Sequence, residues 1–295
     1  MRTAVIIVEF NDAEETIKYV NKIKEYDIIQ KIVVVDNNST IPDTFEKVKT
    51  LENEKICVIQ SEKNGGYSYG NNYGIRFLEK NEEKFDYIII SNPDIEVEEN
   101  AISNCLKIMQ NDEKIAITAP RMYNASGKTI RRSSWKIRTF DLDVIHSTRL
   151  LEILFYNKLR NGEYSEKEYS EKMLQVEAIS GAFFIVKSDI LKEIGYFDEN
   201  VFLFYEEDIL AKKLKEKNYK TYSINTEKFV HYESQTIGKT FSYYKKMKQL
   251  YKSKMYYHEK YNHINIFQKL IFQILNCFRK LELFIEIPIR KILEK

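Results

Sequence analysis

Short aliphatic runs alternate with longer amphipathic stretches through the first 120 residues of the chain. The β-branched runs predict strands at residues 4–10, 31–36, 56–60, 87–91 and 115–120. Apolar residues at three-to-four spacing predict helices at 13–26 and 101–111, and a third helix at 70–79 follows a glycine-rich turn. Several strands are apolar without alternation, as strands buried on both faces of a parallel sheet are. The pattern therefore predicts a doubly wound, Rossmann-like α/β sheet.

The rest of the chain is less regular. Residues 123–175 are polar, and we expect loops and loosely packed helices there that act as a mobile lid. Order returns with an apolar segment at 176–186, helices near 188–194 and 207–217, and a last strand at 220–224. From residue 240 onward the pattern predicts helices with apolar residues on one face and basic residues on the other.

Charge is distributed unevenly along the chain. The whole chain carries +2, but residues 239–295 hold 13 Lys or Arg against 4 Glu, which makes this segment +9 and leaves −7 on residues 1–238. We therefore expect a main domain at 1–238, with halves at 1–120 and 121–238, and a basic amphipathic helical tail at 239–295. Its apolar content suits a membrane surface better than nucleic acid, which is not an expected partner. Packing on the domain, or a homodimer, is the alternative.

Cysteine usage and the termini bear on the compartment. Cys57, Cys105 and Cys277 are an odd number at wide spacing, which indicates a reducing environment. The apolar run at 4–8 is shorter than the core of a signal peptide, and no uncharged stretch reaches the ~18 residues that span a bilayer. We expect a cytoplasmic protein, peripheral at the cytoplasmic face of the membrane.

Polar side chains follow three of the predicted strands at the edge where ligands of α/β sheets collect. They are Asn11 after the first strand, Asp36 and Asn38 after the second, and Asn92 and Asp94 after the fourth. A carboxylate in such a position binds a ribose or base, or holds a divalent cation. The residues together suggest a nucleotide bound with a metal.

A glycine- and amide-rich turn at residues 64–74 leads into the helix at 70–79. Such a turn offers backbone N–H donors and a helix N-terminus to a phosphate. The turn matches neither GxGxxG nor GxxxxGK[ST], which argues against a dinucleotide-dependent oxidoreductase or a P-loop enzyme. Asn64, Gly66 and Asn72 either line the nucleotide or only shape the turn.

These motifs, in this order, resemble those of the inverting family 2 glycosyltransferases, and of their rhamnosyltransferase-like members in particular. The resemblance covers about residues 4–260. The segments that carry it are Val5 to Asn11, Val35-Asp36-Asn37-Asn38-Ser39, Asn64 to Gly74, Asn92-Pro93-Asp94, Ser180 to Phe184, Ile194 to Glu199, Phe202 to Asp208, and His231.

The resemblance implies a GT-A fold, a nucleotide-diphosphate sugar donor and a divalent cation, Mg²⁺ or Mn²⁺. Asn92-Pro93-Asp94 would be a degenerate DxD motif, with Asp94 as metal ligand and His231 completing the metal site. Asp36 would contact the base or ribose, unless it only caps the following helix, and His231 is alternatively a structural histidine. The donor-binding residues would be Asn11, Asp36, Asn38, Asn64, Gly66, Asn72, Asn92, Ser180 and Gly181.

An inverting transferase also needs a carboxylate that takes the proton of the acceptor hydroxyl. The candidates are Glu206, Glu207 and Asp208, at the start of a predicted helix. Aligning Leu210 with the leucine of the family places the family's Glu-Asp pair on Glu206 and Glu207, whereas matching letters places it on Glu207 and Asp208. We favour Glu207; any one of the three is alternatively a solvated helix start. Trp135 is either an acceptor contact or a core residue.

The expected activity is metal-dependent transfer of a sugar, rhamnose or another hexose, from a dTDP- or UDP-sugar to a surface polysaccharide or a polyprenyl-diphosphate-linked glycan. A nucleotidyltransferase on a similar sheet is one alternative, but residues 9–15 are acidic where a triphosphate needs Lys or Arg. A non-catalytic, membrane-associated scaffold of the same fold is the other.

Overall fold

The computed structural model describes residues 1–232 and 243–293. The strands are β1 Thr3–Glu9, β2 Lys31–Asp36, β3 Ile56–Gln60, β4 Tyr87–Ser91, β5 Ile95–Val97, β6 Ile115–Asn124, β7 Ser134–Trp135, β8 Met173–Val176, β9 Ala178–Ile179, β10 Phe183–Lys187 and β11 Lys220–His231. The helices are α1 Ala13–Ile23, α2 Thr44–Lys49, α3 Tyr67–Lys80, α4 Glu99–Gln110, α5 Phe140–Ile145, α6 Arg149–Leu154, α7 Tyr156–Leu159, α8 Ser188–Glu193, α9 Glu206–Glu216, α10 Tyr243–Tyr261 and α11 Ile266–Leu293.

Nine strands of the described residues form one mixed sheet in the order β3-β2-β1-β4-β10-β6-β11-β5, with β8 paired to β11. Strands β1 to β4 are mutually parallel where they pair, and β10 runs antiparallel between β4 and β6. Because β10 is reversed, the chain that enters it lies against the carboxyl end of β4. This reversal brings residues from the two halves of the chain to one edge.

The apolar runs of the sequence become the two faces of the sheet. Val34 packs on one side and Val33 on the other, and both side chains are fully buried. Three of the predicted strands, at 31–36, 56–60 and 87–91, match their observed bounds. The strand predicted at 220–224 continues to His231, because a register shift after Ile224 lets the chain resume pairing with β6 and then with β5.

The segment expected to be irregular, 123–175, contains helices α5 to α7 and the strands β7 and β8. The short elements α2 and β5 were not predicted, since neither has enough residues to show a period. β5 matters most of these, because it pairs with the end of β11.

The C-terminal helices pack against the main domain. Tyr257 of α10 is fully buried and packs with Ile209 of α9 and with Ile137. The predicted boundary at 238/239 and the start of the helices at 240 lie outside the described residues, and the division into domains stays a prediction.

Candidate active site

The carboxyl end of β4 and the end of β11 bring Asp94 and His231 together. His231 Nε2 lies 3.1 Å from Asp94 Oδ2, and Asp94 is only 6% exposed. Pairing of His231 with Ile95 across β11 and β5 fixes this approach. A carboxylate and an imidazole are suitable ligands for Mn²⁺ or a similar divalent cation, with further positions left to phosphate oxygens and water. No cluster of three or more His, Cys, Asp or Glu side chains arranged for a metal occurs in the part of the chain that the structure describes.

Two hydrogen bonds bring the segment that carries Asp94 close to the start of α9. The backbone N–H of Asn92 donates to the carbonyl of Ala182 at 2.8 Å. One residue earlier, the N–H of Gly181 donates to Glu207 Oε1 at 3.1 Å. Ser180 is held beside them, since its N–H donates to the Ser133 carbonyl. The predicted DxD segment, Ser180-Gly181 and Glu207 are therefore neighbours.

Glu207 differs from the other two carboxyl groups in its surroundings. Glu206 and Asp208 are buried, whereas Glu207 is partly exposed. Burial raises the pKa of Glu207, although its own backbone N–H and that of Gly181 counteract this. Burial and the charge of Glu207 raise the pKa of Glu206 well above the ordinary value, and Glu206 Oε2 has no hydrogen-bond partner among the residues that the structure describes. Glu207 is thus the carboxyl of the three that a substrate can approach.

Asp208 points into a protein network instead. Its Oδ1 accepts hydrogen bonds from Trp135 Nε1 and from the Arg138 backbone N–H, each at 3.1 Å. Burial raises the pKa of Asp208 to about 7, against the nearby charge of Arg138. The half-buried indole of Trp135 is therefore oriented beside the carboxyl cluster, where both its predicted roles remain open.

The glycine-rich turn is held by backbone geometry that only glycine fits. Gly66 has φ 88° and ψ −173°, and a Cβ there would lie 2.0 Å from the Phe202 carbonyl oxygen. Asn64 Oδ1 accepts from the Gly66 N–H at 3.1 Å. The buried side chain of Asn37 donates to Asn64 and to the Gly66 carbonyl. The turn before α3 is thus tied to the end of β2.

At the ends of β1 and β2, Asp36 faces Glu9, which the sequence analysis did not select. The two residues are partners in the sheet register, and both are fully buried. Asp36 accepts hydrogen bonds from the Ser39 N–H and from Gln60 Nε2. Burial, together with the charge of Asp36, raises the pKa of Glu9 to about 8. The sequence signal for Glu9 was its position as an acidic residue at the end of an apolar strand.

Other predicted donor residues have protein partners. The side chain of Asn72 is buried; it accepts a hydrogen bond from the Phe197 N–H and donates to the Phe197 carbonyl and to Glu199. Its role at the nucleotide or in the turn stays a prediction. Asn11, with φ 61°, accepts from the N–H groups of Thr40 and Ile41 and so holds the loop after β2. Asn38 is exposed, and the half-exposed side chain of Asn92 has no hydrogen-bond partner among the described residues.

Comparison with known proteins identifies the family. The model of glycosyl transferase family 2 matches residues 4–195. The chain belongs to glycosyl transferase family 2. The low-salt glycan biosynthesis hexosyltransferase Agl10 of Haloferax volcanii is 29% identical over 217 residues, covering 73% of this chain and 62% of that protein. This chain thus spans less than two thirds of the length of that relative.

Solved structures similar to this family 2 chain share its fold. GalNAc-T7 with UDP, GalNAc and Mn²⁺ gives a TM-score of 0.59 at 16% identity, covering 78% of this chain and 43% of that one. S. aureus TarS 1–349 with UDP-GlcNAc gives 0.55 at 15%, covering 85% and 64%. The Pyrobaculum calidifontis mannosyltransferase PcManGT with GDP-Man and Mn²⁺ gives 0.52 at 16%, covering 79% and 57%. The predicted family and GT-A fold are confirmed; the rhamnosyltransferase-like subgroup stays a prediction.

Residues missed by the sequence analysis complete the site of this family 2 protein. The Tyr67 hydroxyl donates to the Gly181 carbonyl, and burial beside Glu207 and Glu206 raises the pKa of Tyr67 far above its ordinary value. Arg138 joins Asp208 to Asp143 of α5. Tyr67 belongs to the glycine-rich motif at 64–74 but was given no role there, and Arg138 lies outside the recognised motifs. Spacing in the sequence gave no indication of these contacts.

Proposed function

We propose that this chain is a metal-dependent, inverting hexosyltransferase whose general base is Glu207. The observation that carries the proposal is the path from Asn92 through Ala182 and Gly181 to Glu207, next to the Asp94–His231 pair. In this arrangement the Glu207 carboxylate, whose pKa is raised, lies near two side chains that are suitable ligands for a cation, Asp94 and His231. A single displacement needs these two elements on either side of the donor sugar.

Each group has a separate task in this proposal. Asp94 and His231 would hold the divalent cation, Mg²⁺ or Mn²⁺, which when bound neutralises the departing diphosphate. Glu207 would accept the proton of the acceptor hydroxyl, with its carboxylate oriented by the Gly181 N–H. Its raised pKa brings its basicity closer to neutral pH, which favours proton transfer. Glu206 and Asp208 would support it, Asp208 through Trp135 and Arg138.

The donor would be a dTDP- or UDP-linked hexose, with rhamnose as one candidate sugar. Structures of the same fold were solved with UDP, UDP-GlcNAc and GDP-Man, so a nucleotide sugar suits this architecture. Asn38, which is exposed after β2, and the turn at Asn64 and Gly66 would contact the nucleotide. Asp36 would orient this region by accepting hydrogen bonds from the Ser39 N–H and from Gln60 Nε2.

The acceptor would be a growing surface polysaccharide or a polyprenyl-diphosphate-linked glycan. The name of the Haloferax relative, which places it in glycan biosynthesis, supports this class of acceptor. The basic tail would hold the enzyme at the cytoplasmic face of the inner membrane, near such carriers. A homodimer through the tail is the alternative arrangement, and no nucleic acid is expected as partner.

Calorimetry with UDP, dTDP and GDP tests the donor site, each nucleotide being titrated with Mn²⁺ and with EDTA. We expect micromolar binding of one nucleotide with Mn²⁺, lost with EDTA and in Asp94→Ala but kept in the exposed control Asp27→Ala. Binding unaffected by EDTA and by Asp94→Ala would refute the metal site. No binding of any nucleotide would favour the non-catalytic scaffold.

A further inference from the structure

Helix α11 turns its apolar side away from the protein. Phe272 and Leu283 are buried at 1% and 3% exposure, and they mark the inward face. On the outward face, Phe284 is 83% and Phe267 is 74% exposed. Up to residue 286, the exposed apolar residues of this helix are Ile266, Phe267, Leu270, Ile271, Ile274, Phe278, Leu281, Phe284 and Ile285. From residue 266 to 285 this stripe is roughly 28 Å long at the rise of an α-helix.

The charged side chains of α11 lie mostly on the other side. Arg279 NH1 bonds Glu282 and Glu286, and Arg279 NH2 bonds Tyr243 of α10. All of these partners lie on α10 and α11 themselves. The exposed apolar stripe contains none of them.

A second exposed apolar segment adjoins the stripe. The carboxylate of Glu282 accepts hydrogen bonds from the backbone N–H groups of Arg149 and Leu150, at 2.8 and 3.1 Å, and so caps α6. Glu282 is one turn from Phe278 and Ile285 on the helix. Leu150, Ile153 and Leu154 are each more than 60% exposed, and Phe155 and Tyr156 follow them at 46% and 55%. We call these side chains and the α11 stripe the apolar platform.

We propose that the apolar platform docks on the interface of an anionic lipid bilayer. Patches of apolar surface this long are rare on soluble monomers unless they mark an interaction site. Within the described residues no helix is long and apolar enough to cross a membrane. A helix with one apolar face then lies in the plane of the interface, with that face among the acyl chains.

Charge favours lipid over a second copy of the chain. Lys248 and Lys252 of α10 and Lys280 of α11 are exposed and form no ion pair with any residue that the structure describes. Anionic headgroups would neutralise these lysines and the wider +9 of the tail. Two copies that met through the same platform would bring two tails of +9 together.

The inference deepens the proposed function, because an acceptor on a lipid carrier would lie at this same surface. It adds α6 and α7, which precede the basic tail in sequence, to the docking surface. Its test uses neither donor nor acceptor, so that its failure and the failure of the transferase proposal are distinguishable.

The test is flotation of the full chain with vesicles of 30% phosphatidylglycerol in phosphatidylcholine. We expect Phe267→Ser/Leu281→Ser/Phe284→Ser to lower partitioning by at least about 100-fold, since three large apolar side chains no longer enter the bilayer. Gln273→Ser, exposed on the same helix, is the matched control and should bind as the wild type does. Leu150→Ser/Leu154→Ser should weaken binding without any change in the tail.

Lysine variants and light scattering complete the test. Lys248→Gln, Lys252→Gln and Lys280→Gln should each weaken binding to anionic vesicles about fivefold at low salt. Near-ultraviolet circular dichroism confirms that each variant is folded. Equal partitioning of the wild type and the platform triple variant would overturn the proposal. The proposal would also be overturned if the wild type did not float with the vesicles and light scattering showed a lipid-free dimer that is absent in the triple variant.

Discussion

His258 of the C-terminal helix α10 lies 2.8 Å, from its Nε2 to Oδ2, from Asp143 of α5, and neither side chain is exposed to solvent. Asp143 also accepts hydrogen bonds from the Tyr205 hydroxyl and from Arg138 NH1. Burial alone would raise the pKa of Asp143, but Arg138 and His258 hold it far below its usual range. Since Tyr205 directly precedes α9, this buried cluster ties the tail to the helix that carries Glu207.

We predict that His258→Ala lowers the free energy of unfolding by about 2–4 kcal/mol. The change removes a buried hydrogen bond to a charged group and leaves a cavity beside Phe272. Urea unfolding measures the loss, with Lys252→Ala on the exposed side of the same helix as the control. A stability equal to that of the wild type would mean that α10 is only loosely attached.

We predict that Glu207→Gln lowers kcat by about 10²–10⁴-fold and leaves nucleotide affinity nearly unchanged, because only proton acceptance is lost. Burial raises the pKa of Glu207, so the rising limb of kcat/KM against pH should lie above its ordinary value of 4.5. Steady-state kinetics of wild type and variant check both statements.

Comparison with the neighbouring carboxyl groups makes this prediction specific. Glu206→Gln should reduce kcat much less, since Glu206 is buried whereas Glu207 is partly exposed. Asp208→Asn should chiefly lower stability, because the ion pair between its carboxylate and the Arg138 side chain is lost. A larger loss of kcat in Glu206→Gln than in Glu207→Gln would transfer the role of base to Glu206.

We predict that Glu9→Gln changes how stability depends on pH. The pKa of Glu9 is raised from 4.5 to about 8 in the folded protein, so folding favours its protonated form. This contribution is fully present below pH 4.5 and is lost as pH rises through 8. Glutamine resembles the protonated carboxyl, and the variant should be the more stable protein above pH 8, by at least about 1.4 kcal/mol.

Thermal unfolding between pH 5 and 9 measures this difference, with the exposed Glu14→Gln as the control. The two variants should differ most at the alkaline end. If Glu9→Gln and Glu14→Gln gave parallel curves, the carboxyl of Glu9 would be ionised in the folded protein at neutral pH.

We predict that Gly66→Ala is much more destabilising than Gly127→Ala. Both glycines have positive φ, at 88° and 74°, so alanine is strained at both. At Gly66 the new Cβ would also collide, 2.0 Å from the Phe202 carbonyl oxygen, whereas at Gly127 no atom of the described part of the chain lies within 4 Å of it. We expect about 1 kcal/mol of lost stability at Gly127 and more than about 3 kcal/mol at Gly66. Equal losses in chemical denaturation would contradict the tight contact of this turn with residue 202.

The sequence by itself determined the central sheet. Strands such as Lys31–Asp36 and Tyr87–Ser91 are buried on both faces. A continuous apolar run in the sequence indicates such burial by itself, because it does not depend on contacts elsewhere in the fold. The motifs after these strands also indicated the family, because side chains that follow parallel strands must collect at one edge.

Only the tertiary structure decided which polar residues face the site. Asn72 and Asn92 have the same side chain, and both lie in predicted donor-binding motifs. In the structure, Asn72 is buried and hydrogen-bonded to Phe197 and Glu199, whereas the side chain of Asn92 is half-exposed next to Ala182. The approach of His231 to Asp94 depends on a register shift in β11 and on the three-residue strand β5. The hub at Asp143 joins residues more than 100 positions apart. Such contacts come from the packing of distant segments, which local periodicity does not encode.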